Sequence, residues 1–325
     1  MPPAPQPPLA ARILVGPTAS GKSAIAQALA ERAAPPLPVV SADAMTIYRG
    51  MDIGTAKPTP AERAAVPSFG FDLADPSRPF SVGAWLDALR RDLPAIAAAA
   101  RGRPVIVAGG TGLYVKCLTE GLATDPPPTP ALRARAQAIL DSGGLPALRA
   151  AVRARDPAAL DRIRDPENPR RLLRAYELLA DGRPLPDTWH APRPLLLGLD
   201  LPRPVLRARI AARARRMYAA GLLDEVRALR AAHPDLSPTA RHAIGYAEAA
   251  AVLDGLLTET EAVERTIART CQYAKRQMTW FRHQAAVRWL PLAGDESLPD
   301  LVALADRAFA DLPPVPLPAL APPPS

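Results

Sequence analysis

The amino-acid sequence predicts an α/β protein: a parallel sheet flanked by helices on both faces, broken by an inserted all-helical subdomain. Three observations carry that prediction. Short apolar runs that end in glycine or a polar turn alternate with longer stretches of helical character. The first of these runs leads directly into a glycine-rich loop and then a helix. After Leu118 strand signals stop, and a proline-rich connector opens a long arginine-rich helical stretch.

In chain order, R-I-L-V-G from Arg12 reads as the first strand, followed by a loop and a helix from Ser23 to Arg32. Leu37 to Val40 is a second run leading into S-A-D-A-M-T-I-Y, and Pro104 to Ala108 is a third, ending at Gly109, Gly110 and Thr111. The segment T-D-P-P-P-T-P from Thr124 to Pro130 is a stiff connector, and Pro130 to Ala180 is helical. Leu195 to Leu199 returns the chain to the sheet, and Arg203 to His283 is again helical. The expected division is a disordered start (1–10), a core (11–118 and 196–311), a helical insertion (119–195) and a tail (312–325). The tail is so rich in proline, which lacks a backbone donor, that disorder is expected there.

A chain of 325 residues, 48% hydrophobic, can build a sizeable core. Lys and Arg total 40 against 32 Asp and Glu, and the net charge of +8 suits a polyanionic partner or, equally, a GC-rich coding sequence. Cys117 and Cys271 stand far apart with no Cys or His at metal-ligand spacing, so neither a disulfide framework nor a zinc site is expected. The N-terminal run lacks a signal-peptide core and no stretch has the length of a membrane span. A cytoplasmic monomer is expected.

Gly16-Pro17-Thr18-Ala19-Ser20-Gly21-Lys22-Ser23 satisfies G-x-x-x-x-G-K-[ST] between a strand and a helix, making the expected fold P-loop NTPase-like. Inward-pointing amides, the positive helix end and Lys22 can hold a polyphosphate, and the Ser23 hydroxyl can ligate Mg²⁺. The loop does not say whether a phosphorus–oxygen bond breaks or pyrophosphate merely leaves. Asp43, after Val39-Val40-Ser41-Ala42, is by position alone a metal-associated acid, a catalytic base or a helix cap.

G-P-T-A-S-G-K-S (Gly16 to Ser23), S-A-D-A-M-T-I-Y-R-G-M-D-I-G-T-A-K-P (Ser41 to Pro58), G-G-T-G-L-Y (Gly109 to Tyr114) and A-K-R-Q-M-T-W-F-R (Ala274 to Arg282) together strongly resemble the tRNA dimethylallyltransferases. The blocks occur in the family's order across Arg12 to Arg282, and M-D-I-G-T-A-K-P is the most specific string. The resemblance implies transfer of a dimethylallyl group from dimethylallyl pyrophosphate to the exocyclic amine of the adenosine 3′ to the anticodon. The tRNAs implied are those reading codons that begin with U. Mg²⁺ is the implied cofactor, and the tRNA anticodon stem-loop and dimethylallyl pyrophosphate are the implied partners.

Carried over by that resemblance, Asp43 is the base, with Lys22 and Thr111 completing the catalytic set. The donor site comprises Gly16, Pro17, Thr18, Ala19, Ser20, Gly21, Lys22, Ser23 and Arg241. Contacts to tRNA are expected from Asp43, Ala44, Met45, Thr46, Thr111, Arg133 and Arg241, and from the block Lys275, Arg276, Gln277, Thr279, Trp280 and Arg282. Arg170, Arg171 and Arg174, in N-P-R-R-L-L-R of the insertion, are the expected clamp on the far side of the loop. The adenine amine is a weak nucleophile whose proton a nearby carboxylate can accept, and the base must be extruded from its stack to be reached.

Between Val263 and Phe281, Val263, Ile267, Thr270, Ala274, Met278 and Phe281 recur at helical spacing as a core stripe. Arg265, Arg269, Gln272 and Arg276 recur on another face that can track phosphates or merely be solvated. Trp280 fits either the core or a stacking platform. Departures from the family pattern are Ala44, Thr46, Ala247 and Cys271, which bear on tRNA recognition rather than on the pyrophosphate grip. Competing readings are an adenylate isopentenyltransferase, a P-loop small-molecule kinase and an RNA-binding module with a vestigial loop.

Overall fold

The computed structural model describes residues 9–121, 128–163, 165–185 and 193–320. In chain order the elements begin with β1 (Ala10–Val15), α1 (Lys22–Glu31), β2 (Val39–Ser41), α2 (Pro60–Ala65), β3 (Ser68–Phe69), α3 (Val82–Ala100), β4 (Val105–Gly109) and α4 (Gly112–Glu120). The helices α5 (Pro130–Arg153), α6 (Ala159–Arg162) and α7 (Pro169–Ala180) follow. Then come β5 (Leu195–Asp200), α8 (Arg203–Ala219), α9 (Leu222–Ala232), α10 (Pro238–Arg241), α11 (Tyr246–Leu253), α12 (Glu259–Gln284), β6 (Ala286–Pro291), α13 (Leu298–Ala310) and β7 (Val315–Pro316). The chain divides into two compact units, Met1–Gly121 with Arg193–Ser325, and Leu122–Pro192. The insertion was expected at 119–195.

In the larger unit the strands run β3-β2-β4-β1-β5-β6, every neighbouring pair parallel, and β7 pairs antiparallel with the start of β1. The residues of β4 are all buried and those of β1 nearly so, as central strands of a sheet covered on both faces must be. Leu14 of β1 packs with Ile25 and Leu29 of α1, Leu197 and Leu199 of β5, and Leu301 and Phe309 of α13 in one apolar cluster. Because the strands are parallel, the segments leaving β1, β2 and β4 emerge at the same edge of the sheet. That edge is where ligands of open α/β sheets bind.

One sequence expectation needs correction. The tail was expected to be disordered over 312–325, but residues 312–320 are built into the core unit. Ala10 and Ala11 pair with Pro316 and Val315, the Leu317 N–H donates to the Leu9 carbonyl at 2.9 Å, and Leu312, Val315, Leu317 and Leu320 are buried. The reason is an open backbone edge: β5 pairs with β1 only at Leu14 and Val15, leaving the start of β1 for another partner. Residues 321–325 and 1–8 lie outside the described residues, while Ala10, placed in the disordered start, opens β1. Arg203 to His283 is helical as expected, in the five helices α8 to α12, with turns at Gly221 and Gly245 among the breaks, and β6 and α13 lie beyond it unforeseen.

Among the described residues of the smaller unit every element is a helix. Its core joins Ala136, Leu148 and Val152 of α5 to Leu160 of α6 and Leu172 and Tyr176 of α7. Thr129 and Asn168 cap α5 and α7, each followed by proline at the first position, where its missing N–H costs nothing.

Candidate active site

The loop after β1 turns through Ala19 (φ 63°) and Gly21 (φ 92°), both left-handed, and α1 begins at Lys22. Only glycine takes this conformation without strain, so Gly21 can turn the chain sharply enough to aim the helix N-terminus into the loop. The Lys22 ammonium is buried and donates to the Pro17 carbonyl at 3.2 Å. Burial pulls its pKa down to about 8, against a raising effect from Asp43 and a further lowering from Arg213. Ser23, one residue on, is exposed, and the Ser20 hydroxyl is buried with no hydrogen-bond partner.

Asp43 follows β2. Its Oδ1 accepts the Met45 N–H at 2.8 Å, an Asx turn that holds the carboxylate in place. The Thr111 hydroxyl, just beyond β4, accepts the Ala44 N–H at 3.1 Å, and the Thr111 N–H donates to Ala42 at 3.3 Å. These bonds stitch the Asp43 turn to the G-G-T turn. A Cβ on Gly109 would lie 2.3 Å from the Ala42 carbonyl, so glycine is required for that approach. Thr46, expected to face tRNA, is instead buried and hydrogen bonded to Ser41 at 3.0 Å. Its hydroxyl closes the turn from within, a role serine or threonine can fill but which removes it from the surface.

The helix α8 supplies a residue that the sequence reading missed. Arg213 donates to the Thr18 hydroxyl at 3.1 Å and to the Thr55 carbonyl at 3.3 Å. Burial lowers its pKa, opposed by the charge of Asp43. Three charged groups, Lys22, Asp43 and Arg213, therefore act on one another around the loop. A signal was present: Leu206, Ile210, Arg213 and Met217 recur at helical spacing, so Arg213 is a cation set in an apolar stripe. Arg241, expected at the donor phosphates, is exposed on α10 and donates to the Leu236 carbonyl at 3.3 Å. The guanidinium hydrogen bonded to the phosphate loop is that of Arg213.

α12 presents two faces. Lys275, Arg276, Thr279 and Arg282 are exposed, with Arg282 paired to Asp200 at 3.2 Å. Gln277, expected among them, is buried between the loop and the G-G-T turn, bonded to Thr18 and Gly110. Tyr273 sits beside Thr111 and Gln277, and burial first, then Asp43, pushes its hydroxyl up to about 12. The Trp280 ring lies against Gly112, where a Cβ would be 2.1 Å away, and edge-on to Phe281, so it packs inward. Arg269, in the expected cationic row, is ion-paired with buried Glu248. Of the core stripe, Ile267, Ala274 and Phe281 are buried and Val263, Thr270 and Met278 half-buried.

The comparisons with known proteins agree with this geometry. A model of the IPP transferase family matches residues 46–284, and one described as isopentenyl transferase matches residues 9–67. The chain belongs to the IPP transferase family. A tRNA dimethylallyltransferase of Anaeromyxobacter dehalogenans is 45% identical to this IPP transferase, over 93% of this chain and 98% of that protein. One from Thermus thermophilus is 43% identical over 88% and 94%. The crystal structure of a full-length tRNA isopentenylpyrophosphate transferase from Bacillus halodurans superposes with a TM-score of 0.65 at 34% identity, covering 93% of this chain and 96% of that one.

In the helical unit of this IPP transferase, Arg133 and Arg174 both approach the buried carboxylate of Glu177, at 3.8 and 3.5 Å. Arg171 lies 3.9 Å from Asp165, and Arg170 is exposed on the first turn of α7. Glu177 thus gathers two guanidinium groups on one surface of that unit. Among the described residues no helix is long and apolar enough to cross a membrane.

Proposed function

We propose that this IPP transferase moves a dimethylallyl group from dimethylallyl pyrophosphate to N6 of the adenosine 3′-adjacent to the anticodon, in tRNAs reading codons that begin with U. The observation that supports it best is the meeting of a P-loop lysine, a turn-held carboxylate and a half-buried arginine at one sheet edge. In this reading Asp43 accepts the amine proton as the new carbon–nitrogen bond forms and the donor's carbon–oxygen bond breaks. Lys22, Arg213 and the loop amides stabilise the charge gathering on the departing pyrophosphate. Thr111 braces the Asp43 turn through the Ala44 amide.

Among the described residues no three His, Cys, Asp or Glu side chains gather as a metal cage. Mg²⁺ does not need one, because it binds through few protein ligands and the oxygens of a bound phosphate. The exposed Ser23 hydroxyl at the end of the loop fits that demand, and the ion would supply further charge for the leaving group. Arg133, Arg170, Arg171 and Arg174 of the helical unit, with Lys275, Arg276, Thr279 and Arg282 on α12, are the proposed contacts to the anticodon stem-loop. The protein acts as a monomer in this scheme.

Incubation with dimethylallyl pyrophosphate, Mg²⁺ and unmodified tRNA should yield prenylated tRNA and free pyrophosphate. Prenylation of free adenylate instead, or phosphoryl transfer from ATP, would refute the assignment. Asp43→Ala should lower turnover by about 10²- to 10⁴-fold while tRNA affinity is kept; equal loss of both would make Asp43 a structural residue.

A further inference from the structure

Gln277 is buried at 5% exposure in the middle of α12, and both ends of its amide are engaged. Its Oε1 accepts the Thr18 N–H at 2.8 Å, and its Nε2 donates to the Gly110 carbonyl at 2.9 Å. One partner is a donor and the other an acceptor, so the amide has a single orientation. The fit is close: a Cβ on Gly110 would stand 2.3 Å from Nε2. With Tyr273 as a further hydrogen-bond partner, the buried amide is turned toward protein groups, although the family resemblance sets it among tRNA contacts.

The Thr18 N–H belongs to the same peptide unit as the Pro17 carbonyl. A trans peptide is planar, and its N–H and C=O point in opposite directions. Drawing the Thr18 N–H toward α12 therefore turns the Pro17 carbonyl the other way, and that carbonyl accepts the buried Lys22 ammonium at 3.2 Å. Arg213 holds the same residue through its hydroxyl. A peptide unit free to rotate would carry the Lys22 partner with it.

We infer that Gln277 is a positioning residue for the donor site: by fixing the Pro17–Thr18 peptide it sets where the Lys22 ammonium meets the diphosphate. This deepens the proposed function and rests on its assignment of the loop to the pyrophosphate donor. It also gives α12 two tasks, with an outer cationic row and an inner amide that orders the phosphate loop.

The test measures affinity for inorganic pyrophosphate with Mg²⁺, and separately for an anticodon stem-loop RNA, in four proteins. These are the wild type, Gln277→Met, Lys22→Met and the double variant. Methionine keeps the length of glutamine and removes the hydrogen bonds of its amide, those to Thr18 and Gly110 included. Gln277→Met should weaken pyrophosphate binding about tenfold, the size of one charge-assisted hydrogen bond, with RNA affinity within about twofold. In the Lys22→Met background the same change should have almost no effect, because the group it positions is gone.

A loss of RNA affinity with pyrophosphate affinity kept, or an undiminished loss in the Lys22→Met background, overturns the inference. Should Gln277→Met not melt cooperatively, Gly110→Ala displaces the amide and carries the same prediction. A wild type that binds pyrophosphate yet prenylates no RNA overturns the proposed reaction and leaves the role of Gln277 standing. A wild type that binds no pyrophosphate overturns both.

Discussion

Two lysines lie buried in the larger unit: Lys22 at the end of the phosphate loop, and Lys57 in the M-D-I-G-T-A-K segment. Lys57 is fully matched, its ammonium donating to Asp52 at 2.6 Å, Asp72 at 2.6 Å and the Tyr48 carbonyl at 2.5 Å. Asp72 is also bonded to Arg63 at 2.5 Å. Burial alone would raise the Asp72 carboxyl, but the hydrogen bonds from Lys57 and Arg63 win and hold it below the usual range. Lys22 donates to the Pro17 carbonyl at 3.2 Å, and its pKa is lowered to about 8. A buried cation with three anionic or carbonyl partners is a strut. One left short of partners is held ready for an anion that arrives later.

That contrast can be broken most directly at Lys22. Replacing it with methionine should slow single-turnover transfer by about 10²- to 10³-fold. The same change should raise the thermal midpoint, since removing an under-compensated buried charge stabilises by roughly 1–3 kcal/mol. Lys57→Met should do the reverse, destabilising by about 3 kcal/mol in chemical denaturation because Asp52 and Asp72 lose the buried cation they share. If both variants move stability in the same direction, the distinction between the two lysines is wrong.

Glu225 offers a smaller test of the strut. It accepts the N–H groups of Asp52 at 3.1 Å, Ile53 at 2.7 Å and Gly54 at 3.3 Å, and the Tyr246 hydroxyl as well. Glu225→Gln should lower stability by about 1–2 kcal/mol and leave pyrophosphate affinity unchanged; weakened pyrophosphate binding would tie this segment to the donor site.

The pH dependence separates the two lysines with the smallest expected effect. Because the pKa of Lys22 is about 8 in the fold against 10.5 as the ordinary value, the unfolded chain binds more protons between those limits. The Lys22 contribution to stability therefore rises with pH across that window, while donor KM climbs as the ammonium is lost. Lys22→Arg should remove the climb; a climb that persists would assign it to another group. Asp72, with its carboxyl held below 3.8, contributes stability that is complete above that value and is lost as pH falls through its folded pKa. Acid should thus loosen the Lys57 strut first.

Residues that act through local backbone were legible in the sequence. The loop Gly16 to Ser23 requires a strand before it and a helix after it, and both are there. Asp43 and Thr111 follow the ends of β2 and β4, as their glycine-rich and apolar flanks imply. What failed were assignments of direction. Gln277 and Thr46 carry polar side chains suited to a surface, but each is buried against backbone groups that only the folded chain brings near. Arg213 was one arginine among several on α8, and its partners Thr18 and Thr55 lie far away in sequence.

By itself the sequence determined the alternation of strands and helices around the loop, the loop that grips phosphate and the family to which the chain belongs, because these depend on spacing along a few neighbouring residues. Tertiary structure alone decided which lysine is paired, which arginine reaches the loop and why residues 312–320 join the core unit. Each of those outcomes turns on a contact between distant segments: Lys57 with Asp72, Arg213 with Thr18, Val315 with Ala11. Chain periodicity says which side of a helix or strand a residue occupies, and only packing says what stands on that side.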